Sequence, residues 1–432
     1  MTTGSTERRR VFATGHRRVD GSPLTMTPFH VAGIGFLLVG LGLALYQGLQ
    51  QFGLVPRVSW ITWTHIHFVT VGAFTQLLFG TLPQLMAQKL EHPTPSPRVN
   101  GAIFLGLNSA LVVAWYGRAF GHSLWFDVGL ATLWLLTLWL LLTLLRMVRR
   151  SDGDRTRDAT VGFYVLSPFV YLIGLFFAFG LFSHGWDVPG GWYGLREAHV
   201  HANAWGFLGL AAIGTLYDVF PRLVDADLYS EQLKRYSLPL FALGIFPLVI
   251  GPVLGMGKTV TGTGLVLYAA GYLLYVYTLT KTYRAGTSNG TALSVLVAQL
   301  WILGPAGFAP FILFGVPLGI PEPWIETGAL HFFFLGWALP IALAGVLLFV
   351  DESGPLVGTD GTDGERGGRR LDNGVSSVMT TWTVVLWNVA VVAVGIGFFY
   401  QDQFWAAPIQ APGYAILLAI WAAYLLHVVG RR

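Results

Sequence analysis

Histidine recurs at the same place in three apolar segments of this chain. In each segment a glycine lies five residues past the last histidine: His65-Ile66-His67 with Gly72, His199-Val200-His201 with Gly206, and His331 with Gly336. An imidazole is costly to place in hydrocarbon, so a histidine inside a membrane is by default a functional-site hypothesis. Three sets in register predict a haem or metal site built between helices.

The composition indicates an integral membrane protein. The chain of 432 residues is 54% hydrophobic and 11% charged, whereas a soluble domain has about 25% charged residues. Apolar runs of about 18 or more residues can each cross a bilayer. We count twelve such runs: 28–50, 60–86, 100–118, 123–147, 161–182, 197–221, 236–254, 259–281, 292–316, 328–350, 377–399 and 411–429. The predicted fold is therefore all-α, a polytopic membrane protein with twelve transmembrane helices.

The sequence predicts one membrane domain with polar extensions. We expect a cytoplasmic tail over residues 1–27 and a ten-helix core over 28–350 that carries the histidines. Residues 351–376 are rich in Gly and Asp and lack apolar periodicity, which predicts a flexible cytoplasmic loop. Residues 377–432 then supply the last two transmembrane helices of the same domain.

The distribution of basic residues predicts the orientation. With the N-terminus inside, the Lys and Arg residues on the outer side are Arg57, Arg118, Arg196 and Lys258, out of 26 in the chain. Cytoplasmic loops carry the excess of Lys and Arg in membrane proteins. We therefore expect a plasma-membrane protein with both termini in the cytoplasm. The net charge of +4 then reflects orientation and attraction to membrane lipid, not binding of nucleic acid.

The chain has no cysteine. This excludes disulfides, thiolate metal sites, iron–sulfur clusters and covalent haem attachment through cysteine. A haem in this protein must be held non-covalently, and histidine is its most available strong ligand.

The histidine-bearing runs are the second, sixth and tenth, and all three cross from outside to inside. We expect their histidines within the first helical turns, at a similar depth. A spacing of four helices predicts three quasi-repeated four-helix units. Residues i and i+2 of a helix project about 200° apart, so His65 and His67 can serve two sites on opposite sides of their helix. The same holds for His199 and His201, while His331 has no such partner.

The histidines and Arg196 each have an interpretation that does not involve haem. Histidines in helix bundles can hydrogen-bond across an interface or form a proton path without any cofactor. Arg196, at the mouth of the sixth run, could pair with a haem propionate or act as an interfacial anchor. Our candidate cofactor-binding residues are His65, His67, His199, His201, His331 and Arg196, with the five histidines binding haem iron or, alternatively, copper.

The run from His199 to Leu223 resembles the H-x-H helix of haem–copper oxidase catalytic subunits. It is most similar to the branch of cbb-type oxidases and nitric oxide reductases. Residues 63–85 and 331–345 resemble the same helix more weakly. The resemblance implies a helix whose two histidines face two haems. His201 would hold a low-spin haem b with His331 or His67, and His199 would face the second pocket. If the helices correspond in numerical order, the low-spin pair would be His67 and His331.

The copper site of that family takes three histidines, one from one helix and an adjacent pair from the next. Neither the third nor the seventh run of this chain contains histidine. The resemblance therefore implies one or two b-type haems, with copper not supported by a full ligand set. The chain also resembles the NnrS-type membrane proteins, which have twelve helices with H-x-H openings and are associated with nitric oxide and with haem and copper. Phe68 and Ala202 stand where their typical glutamate follows the histidine pair.

The predicted function is that of a membrane haem protein for electron transfer, or for binding or reducing a small diatomic gas such as nitric oxide or oxygen. An electron-donor protein or second subunit would then dock at the outer face. The alternative is a non-enzymatic transporter or partner subunit that uses the histidines to bind metal or protons. Prolines such as Pro247, Pro252, Pro305 and Pro310 suit that alternative, because transporters often break helices at mid-membrane.

Overall fold

The computed structural model describes residues 24–58, 60–315, 318–353, 380–403 and 405–430. Twelve of its helices are long and apolar enough to cross a membrane. We number them α1 to α12: Pro28–Gln51, Ile61–Leu90, Pro97–Ala119, Ser123–Arg150, Ala159–His184, Gly191–Leu223, Glu231–Val253, Gly257–Ala285, Gly290–Phe314, Glu322–Leu347, Thr381–Phe399 and Ala406–Leu426. Helical structure continues to Ser353 after α10 and to Gly430 after α12. The prediction of an all-α protein with twelve transmembrane helices is confirmed, and the chain is a polytopic membrane protein.

The three histidine helices share an irregularity. Each changes from α-helix to a π-helical segment at or directly after the last histidine, over Phe68–Phe74 in α2, His201–Gly209 in α6 and Phe332–Ala338 in α10. Such π-helical turns are rare and frequently lie at functional sites. Two further π-helical turns among the described residues, Gly180–His184 and Gly257–Thr261, lie at helix ends instead. The four-helix period inferred from the histidines is therefore repeated in the backbone.

The histidine helices form the centre of the bundle. In α2, α6 and α10, 67%, 78% and 78% of the apolar window is buried inside the protein, against 61% or less for the other helices. They touch one another through aromatic side chains, such as Phe74 against Phe334 and Trp205 against Phe333. The other helices surround these three, so residues on α2, α6 and α10 are shielded from lipid.

Two helices begin earlier than the sequence suggests. Helix α6 begins at Gly191 and α10 at Glu322, not at 197 and 328. His199 and His331 therefore lie in the third helical turn, deeper along the helix than the first turns expected for them. Polar residues precede both histidines, including Glu197 before His199 and Glu326 before His331. They lower the local hydropathy, so each apolar run begins later than its helix.

The last residues of the predicted N-terminal tail pack against the bundle. Leu24 is buried, and the Thr25 backbone N–H donates a hydrogen bond of 2.9 Å to the Gln84 side chain of α2. Thr27 caps α1, with its hydroxyl 2.8 Å from Nδ1 of His30. Residues 1–23 and most of the predicted loop 351–376, from 354 onward, lie outside the described residues.

We call the side of the bundle where α2, α6 and α10 begin the histidine side. A network of charged side chains joins the helices at the opposite side. Lys89 pairs with Asp218 and, at 2.9 Å, with Asp158. The almost fully buried Lys234 lies 3.0 Å from Asp158 and 2.6 Å from Glu231. These ion pairs hold α2, α5, α6 and α7 together where the sequence shows only scattered charges.

Candidate functional site

The glycine in each histidine set has a packing role that repeats three times. A Cβ at Gly72 would lie 2.8 Å from the Phe36 ring of α1, and one at Gly206 would lie 2.2 Å from Val170 of α5. A Cβ at Gly336 would lie 2.4 Å from the Trp301 ring of α9. Each histidine helix is thus pressed against the helix that precedes it in the chain. Glycine here permits close helix approach, as small residues do at membrane helix interfaces.

The two histidines of one helix do face different clefts, as their i and i+2 spacing predicts. We define three clefts by the central helices that border them. The first cleft lies between α2 and α10 and contains His65 and His331. The second lies between α2 and α6 and contains His67 and His199. The third lies between α6 and α10 and contains His201.

The first cleft brings two imidazoles face to face. The ring centres of His65 and His331 are 6.1 Å apart, with an angle of 46° between the ring planes. Both rings line an apolar cavity of about 80 Å³. The Phe398 ring stacks on His331 at 3.9 Å, and Tyr414 borders the same cavity. The contact of His331 is therefore with His65, rather than with His201 or His67 as the two registers of the resemblance would have it.

Tyr414 adds a polar group to this apolar cavity. Its hydroxyl is buried and makes no hydrogen bond with any described residue. Unpaired buried hydroxyls are uncommon in proteins and call for an explanation, such as a bound group that pairs with them. Because Tyr414 also lies against His331, with ring centres 6.2 Å apart, the unpaired hydroxyl belongs to the same site as the two histidines.

Most of the candidate histidines are held through Nδ1 by a backbone carbonyl. Nδ1 lies 2.8 Å from the Trp63 carbonyl in His67, 3.0 Å from the Gly174 carbonyl in His199, 2.7 Å from the Leu248 carbonyl in His201 and 2.7 Å from the Thr327 carbonyl in His331. His65 is the exception, because its Nδ1 is buried without a hydrogen-bond partner among the described residues. A carbonyl can only accept, so Nδ1 donates and Nε2 of the neutral ring keeps its lone pair. Metal-binding histidines are oriented in this way.

The second cleft is closed by aromatic rings. Phe182 of α5 lies edge-on to both histidines, with ring centres 6.4 Å from His67 and 5.9 Å from His199. Trp63 stacks on His67 at 4.0 Å, and the Asn203 side-chain amide lies 3.3 Å from Nε2 of His199. These contacts pack both rings tightly, and the Asn203 amide lies against His199, so this pair has the character of packed core residues.

The third cleft is open and holds a single histidine. His201 lines a cavity of about 530 Å³ between α6, α7, α8, α9 and α10. By the register of the glycines, Ala329 of α10 occupies the position that His65 and His199 occupy in the other two helices. Ala329 lines the same cavity as His201. The third cleft therefore has one histidine where each of the others has two, and its cavity is larger than that of the first cleft.

Arg196 lies at the mouth of the third cleft and already has partners. Its guanidinium pairs with Glu326 of α10 and, at 3.0 Å, with Glu197. It also packs over Trp192 and Tyr193, with centroid distances of 5.5 and 5.2 Å. Because two carboxylates hold it, a haem propionate would have to displace one of them. The geometry suits an anchor between α6 and α10 better than a free anion-binding group.

Several residues of these clefts were not singled out from the sequence. Glu326, Phe182, Phe398 and Tyr414 carry no distinguishing motif, and their roles depend on which helices become neighbours. His30 of α1 is also buried, and its Nε2 lies 3.2 Å from the Thr81 hydroxyl of α2. Among the described residues no group of three or more His, Asp or Glu side chains is arranged to hold a metal ion.

The comparisons with known proteins identify no relatives. No protein-family model matches the chain, and no curated protein matches it. The geometry of the clefts is therefore the basis for assigning a function.

Proposed function

We propose that this polytopic membrane protein carries a b-type haem whose iron is bound by His65 and His331. Its function would be electron transfer. Binding or reduction of a small diatomic gas such as nitric oxide or oxygen would also require one histidine to leave the iron, because two imidazoles fill both axial positions. The observation that carries the proposal is the facing pair of imidazoles in the first cleft, 6.1 Å apart between ring centres.

The donor set of the first cleft fits haem iron. Two imidazoles on opposite sides of one metal ion, with metal–nitrogen bonds of about 2 Å, have ring centres roughly 6 Å apart. The Nδ1 of His331 is tied to the Thr327 carbonyl, which leaves Nε2 for the metal. The apolar lining, including Leu41 and Phe334, suits a porphyrin face. The cavity of about 80 Å³ has room for an ion or a diatomic molecule, so a porphyrin requires lining side chains such as Leu41, Phe334 and Tyr414 to move apart.

The protein would orient the histidine ligands, exclude water from the site and supply one hydrogen bond. The Thr327 carbonyl fixes the ring of His331, as second-shell carbonyls do for metal-binding histidines. Burial of His65 and His331 within the central helices keeps water away. The Tyr414 hydroxyl, unpaired among the described residues, is available to donate to a group in the cavity. A haem bound by two histidines supplies reversible one-electron transfer, with its potential set by axial ligands and burial.

The charge distribution supports an orientation for this site. Within the part of the chain that the structure describes, Arg57, Arg118, Arg196 and Lys258 lie on the histidine side. Basic residues are far more numerous on the opposite side, which favours a cytoplasmic location for that side. The histidine side would then face outward in the plasma membrane, where an electron-donor protein or a second subunit could dock.

A relationship to the haem–copper oxidase catalytic subunits, or to the NnrS-type proteins, is part of this proposal. Its support is the set of three histidine helices spaced four apart, each with a π-helical segment. Copper is the alternative ion for the facing pair, because two imidazoles also suit copper.

The test is haem analysis of the purified protein together with its absorption spectrum. We expect b-type haem with the sharp visible bands of a six-coordinate low-spin iron in the reduced state. His65→Ala and His331→Ala should each lose those bands, with loss of haem or conversion to a high-spin spectrum. His122→Ala, at an exposed histidine on the same side of the bundle, is the matched control and should leave the spectrum unchanged.

Three outcomes would overturn the proposal. A colourless protein without metal would favour the transporter alternative, which the 530 Å³ cavity could serve. A protein that contains copper but no haem would keep the His65–His331 pair as a metal site and remove the haem. A low-spin spectrum that survives both substitutions would move the haem to other ligands.

A further inference from the structure

The cavity of the third cleft is polar at one end and apolar elsewhere. Its polar end comprises Arg196, Glu197, His201, Glu322 and Glu326. Because Glu322 is the first residue of α10, this end lies near the membrane surface on the histidine side. A volume of about 530 Å³ is within the range of sites for small organic molecules, about 300–1,000 Å³. The cavity is therefore large enough for an amphiphile with a polar head and an apolar tail.

The deeper walls of the cavity consist largely of aromatic rings. Trp205, Tyr268, Tyr272 and Phe333 line it. The Tyr268 hydroxyl donates to the Trp205 carbonyl at 2.9 Å, and the Tyr272 hydroxyl donates to the Gln299 backbone carbonyl at 2.9 Å. Both hydroxyls are therefore satisfied within the protein, and the tyrosines contribute ring surface to the cavity. These walls suit an apolar tail.

Negative charge is in excess at the polar end. The carboxylates of Glu197, Glu322 and Glu326 outnumber the guanidinium of Arg196, which already pairs with Glu326 and, at 3.0 Å, with Glu197. The carboxylates still outnumber the cations when the exposed Lys258, at the start of α8, is included. An anionic head is therefore repelled from this end, and a cationic head is attracted to it.

Glu197 and His201 place two hydrogen-bond acceptors close together at this end. Glu197 uses Oε1 for Arg196, and its Oε2 lies 3.9 Å from Nε2 of His201. Nδ1 of His201 donates to the Leu248 carbonyl at 2.7 Å, so Nε2 of the neutral ring is an acceptor. Two acceptors do not bond to each other, but one nitrogen that carries two N–H bonds can reach both.

The cavity is open toward the lipid-facing side of the bundle. Leu273 of α8 and Leu303 of α9 line it, yet both side chains are exposed. The helical segment Leu303–Phe314 of α9 contains no buried residue. Both leucines lie near the middle of their helices, where exposed apolar residues of a membrane protein face lipid. A molecule dissolved in the bilayer can therefore enter sideways, between α8 and α9, with its head near the membrane surface.

We propose that the third cleft binds a membrane-dissolved primary amine, with its ammonium head between Glu197 and His201 and its apolar tail along the aromatic walls. An ammonium group supplies both the positive charge and the N–H donors that these two residues select. A primary alkylamine is protonated at neutral pH, as the lysine side chain is. The site requires neither haem nor the His65–His331 pair, so the inference goes beyond the proposed function.

The binding test uses radiolabelled dodecylamine with the purified full-length chain in an uncharged detergent. Unlabelled amphiphiles with the same tail serve as competitors. We expect saturable binding, with dodecylamine as the strongest competitor. Dodecyltrimethylammonium has the charge without an N–H donor, and dodecanol has a donor without the charge, so each should compete about tenfold more weakly. Dodecanoate, an anion, should not compete.

Substitution of Glu197 tests the polar end directly. Glu197→Gln removes the charge and keeps the size of the side chain. It should weaken dodecylamine binding by about tenfold or more, the effect of losing a hydrogen bond between charged groups, and His201→Ala should also weaken it. Glu91→Gln is the matched control, because Glu91 pairs with Arg155 at 2.6 Å on the opposite side of the bundle. Glu91→Gln should bind dodecylamine as the wild type does.

A cavity-filling variant separates the site from partition into detergent. Ala306→Trp places an indole in the cavity, whereas Ala131→Trp places one on an exposed face of α4. We expect Ala306→Trp to abolish saturable binding and Ala131→Trp to retain it. An unchanged unfolding temperature shows that Ala306→Trp is folded.

Four results would overturn the inference. No saturable binding to the wild type, or equal binding by Ala306→Trp, would remove the site. Equal competition by dodecanol and dodecylamine would show that the polar end does not select a cation. Stronger competition by dodecanoate would make this an anion site held by Arg196. The haem content of the protein enters none of these measurements, so this inference and the proposed function fail or stand separately.

Discussion

The first and third clefts are formed by equivalent helix positions, yet the first is a small site with two histidines and the third is a large cavity with one. In the first cleft two histidines meet across a cavity of about 80 Å³ that Tyr414 also lines, and Phe398 stacks on His331. In the third, His201 looks across a cavity of about 530 Å³ toward Ala329. A single residue in the repeated pattern can therefore determine whether a cleft is a closed site with two ligands or an open cavity. Repetition of the fold supplies the clefts, and the side chain at the variable position decides their chemistry.

The largest expected effect concerns the glycines that make the three clefts equivalent. Gly206→Ala should destabilise the protein by about 1–3 kcal/mol, the usual cost of overpacking, because its Cβ would lie 2.2 Å from Val170. Gly336→Ala and Gly72→Ala should follow in that order, with approaches of 2.4 and 2.8 Å. Unfolding of the purified variants by heat or denaturant measures the effect.

Gly345→Ala is the matched control for the glycine series. It lies on α10, and a Cβ there would meet no heavy atom within 4 Å. We expect no loss of stability and a gain of up to about 1 kcal/mol from helix propensity. Equal destabilisation by all four substitutions would remove the close helix approach as the reason for the glycines.

The next prediction changes the residue that distinguishes the two clefts. Ala329→His places a second imidazole in the third cleft and partly fills its cavity. We expect this variant to bind an additional copper ion between the new imidazole and His201, while the spectrum of the first cleft stays unchanged. An Ala329→Leu variant fills the same space without a ligand and serves as control. Equal copper binding by the two variants would show that the residue at this position does not decide the chemistry of the cleft.

The smallest expected effect lies at the opposite side, where ion pairs rather than imidazoles join the helices. Burial alone would raise the pKa of Asp158, but the ammonium groups of Lys89 and Lys234 outweigh it and hold the pKa well below its ordinary value. A lowered carboxyl pKa stabilises the fold above the unfolded-state pKa of about 4, and that contribution is lost as the pH falls below it.

Asp158→Asn should therefore lower stability by about 1 kcal/mol at neutral pH and flatten the acid dependence below about pH 4. Unfolding midpoints of wild type and variant between neutral pH and pH 3 measure this. Asp154→Asn is the control, since Asp154 lies nearby but its side chain is almost fully exposed. The same pH profile in wild type and Asp158→Asn would show that the network contributes nothing.

Much of the architecture can be predicted from the sequence. Twelve apolar runs give twelve helices, because hydrocarbon demands internally bonded backbone over a fixed thickness. The i and i+2 spacing of His65 and His67 predicts that they face two different clefts, and in the structure they do. The starts of α6 and α10 were wrong by about two turns, since polar residues such as Glu197 and Glu326 pair with Arg196 instead of ending the helix.

The pairing of histidines could not be predicted from the sequence. Helix order along the chain leaves open whether His331 faces α2 through His65 or through His67, because the answer depends on rotation of each helix about its axis. The π-helical segments change that rotation by inserting a residue, and no sequence motif announces them. The partners Phe182, Phe398 and Tyr414 likewise come from helices far away in sequence.

Chemical rescue of one missing ligand tests whether His65 and His331 bind haem. In His331→Ala the cavity left by the side chain adjoins His65 and the Thr327 carbonyl. We predict that the variant loses the low-spin haem spectrum and that added imidazole, supplied with haem, restores it, while His122→Ala keeps the spectrum throughout. A wild-type protein without haem, or a low-spin spectrum in His331→Ala without imidazole, would contradict the account.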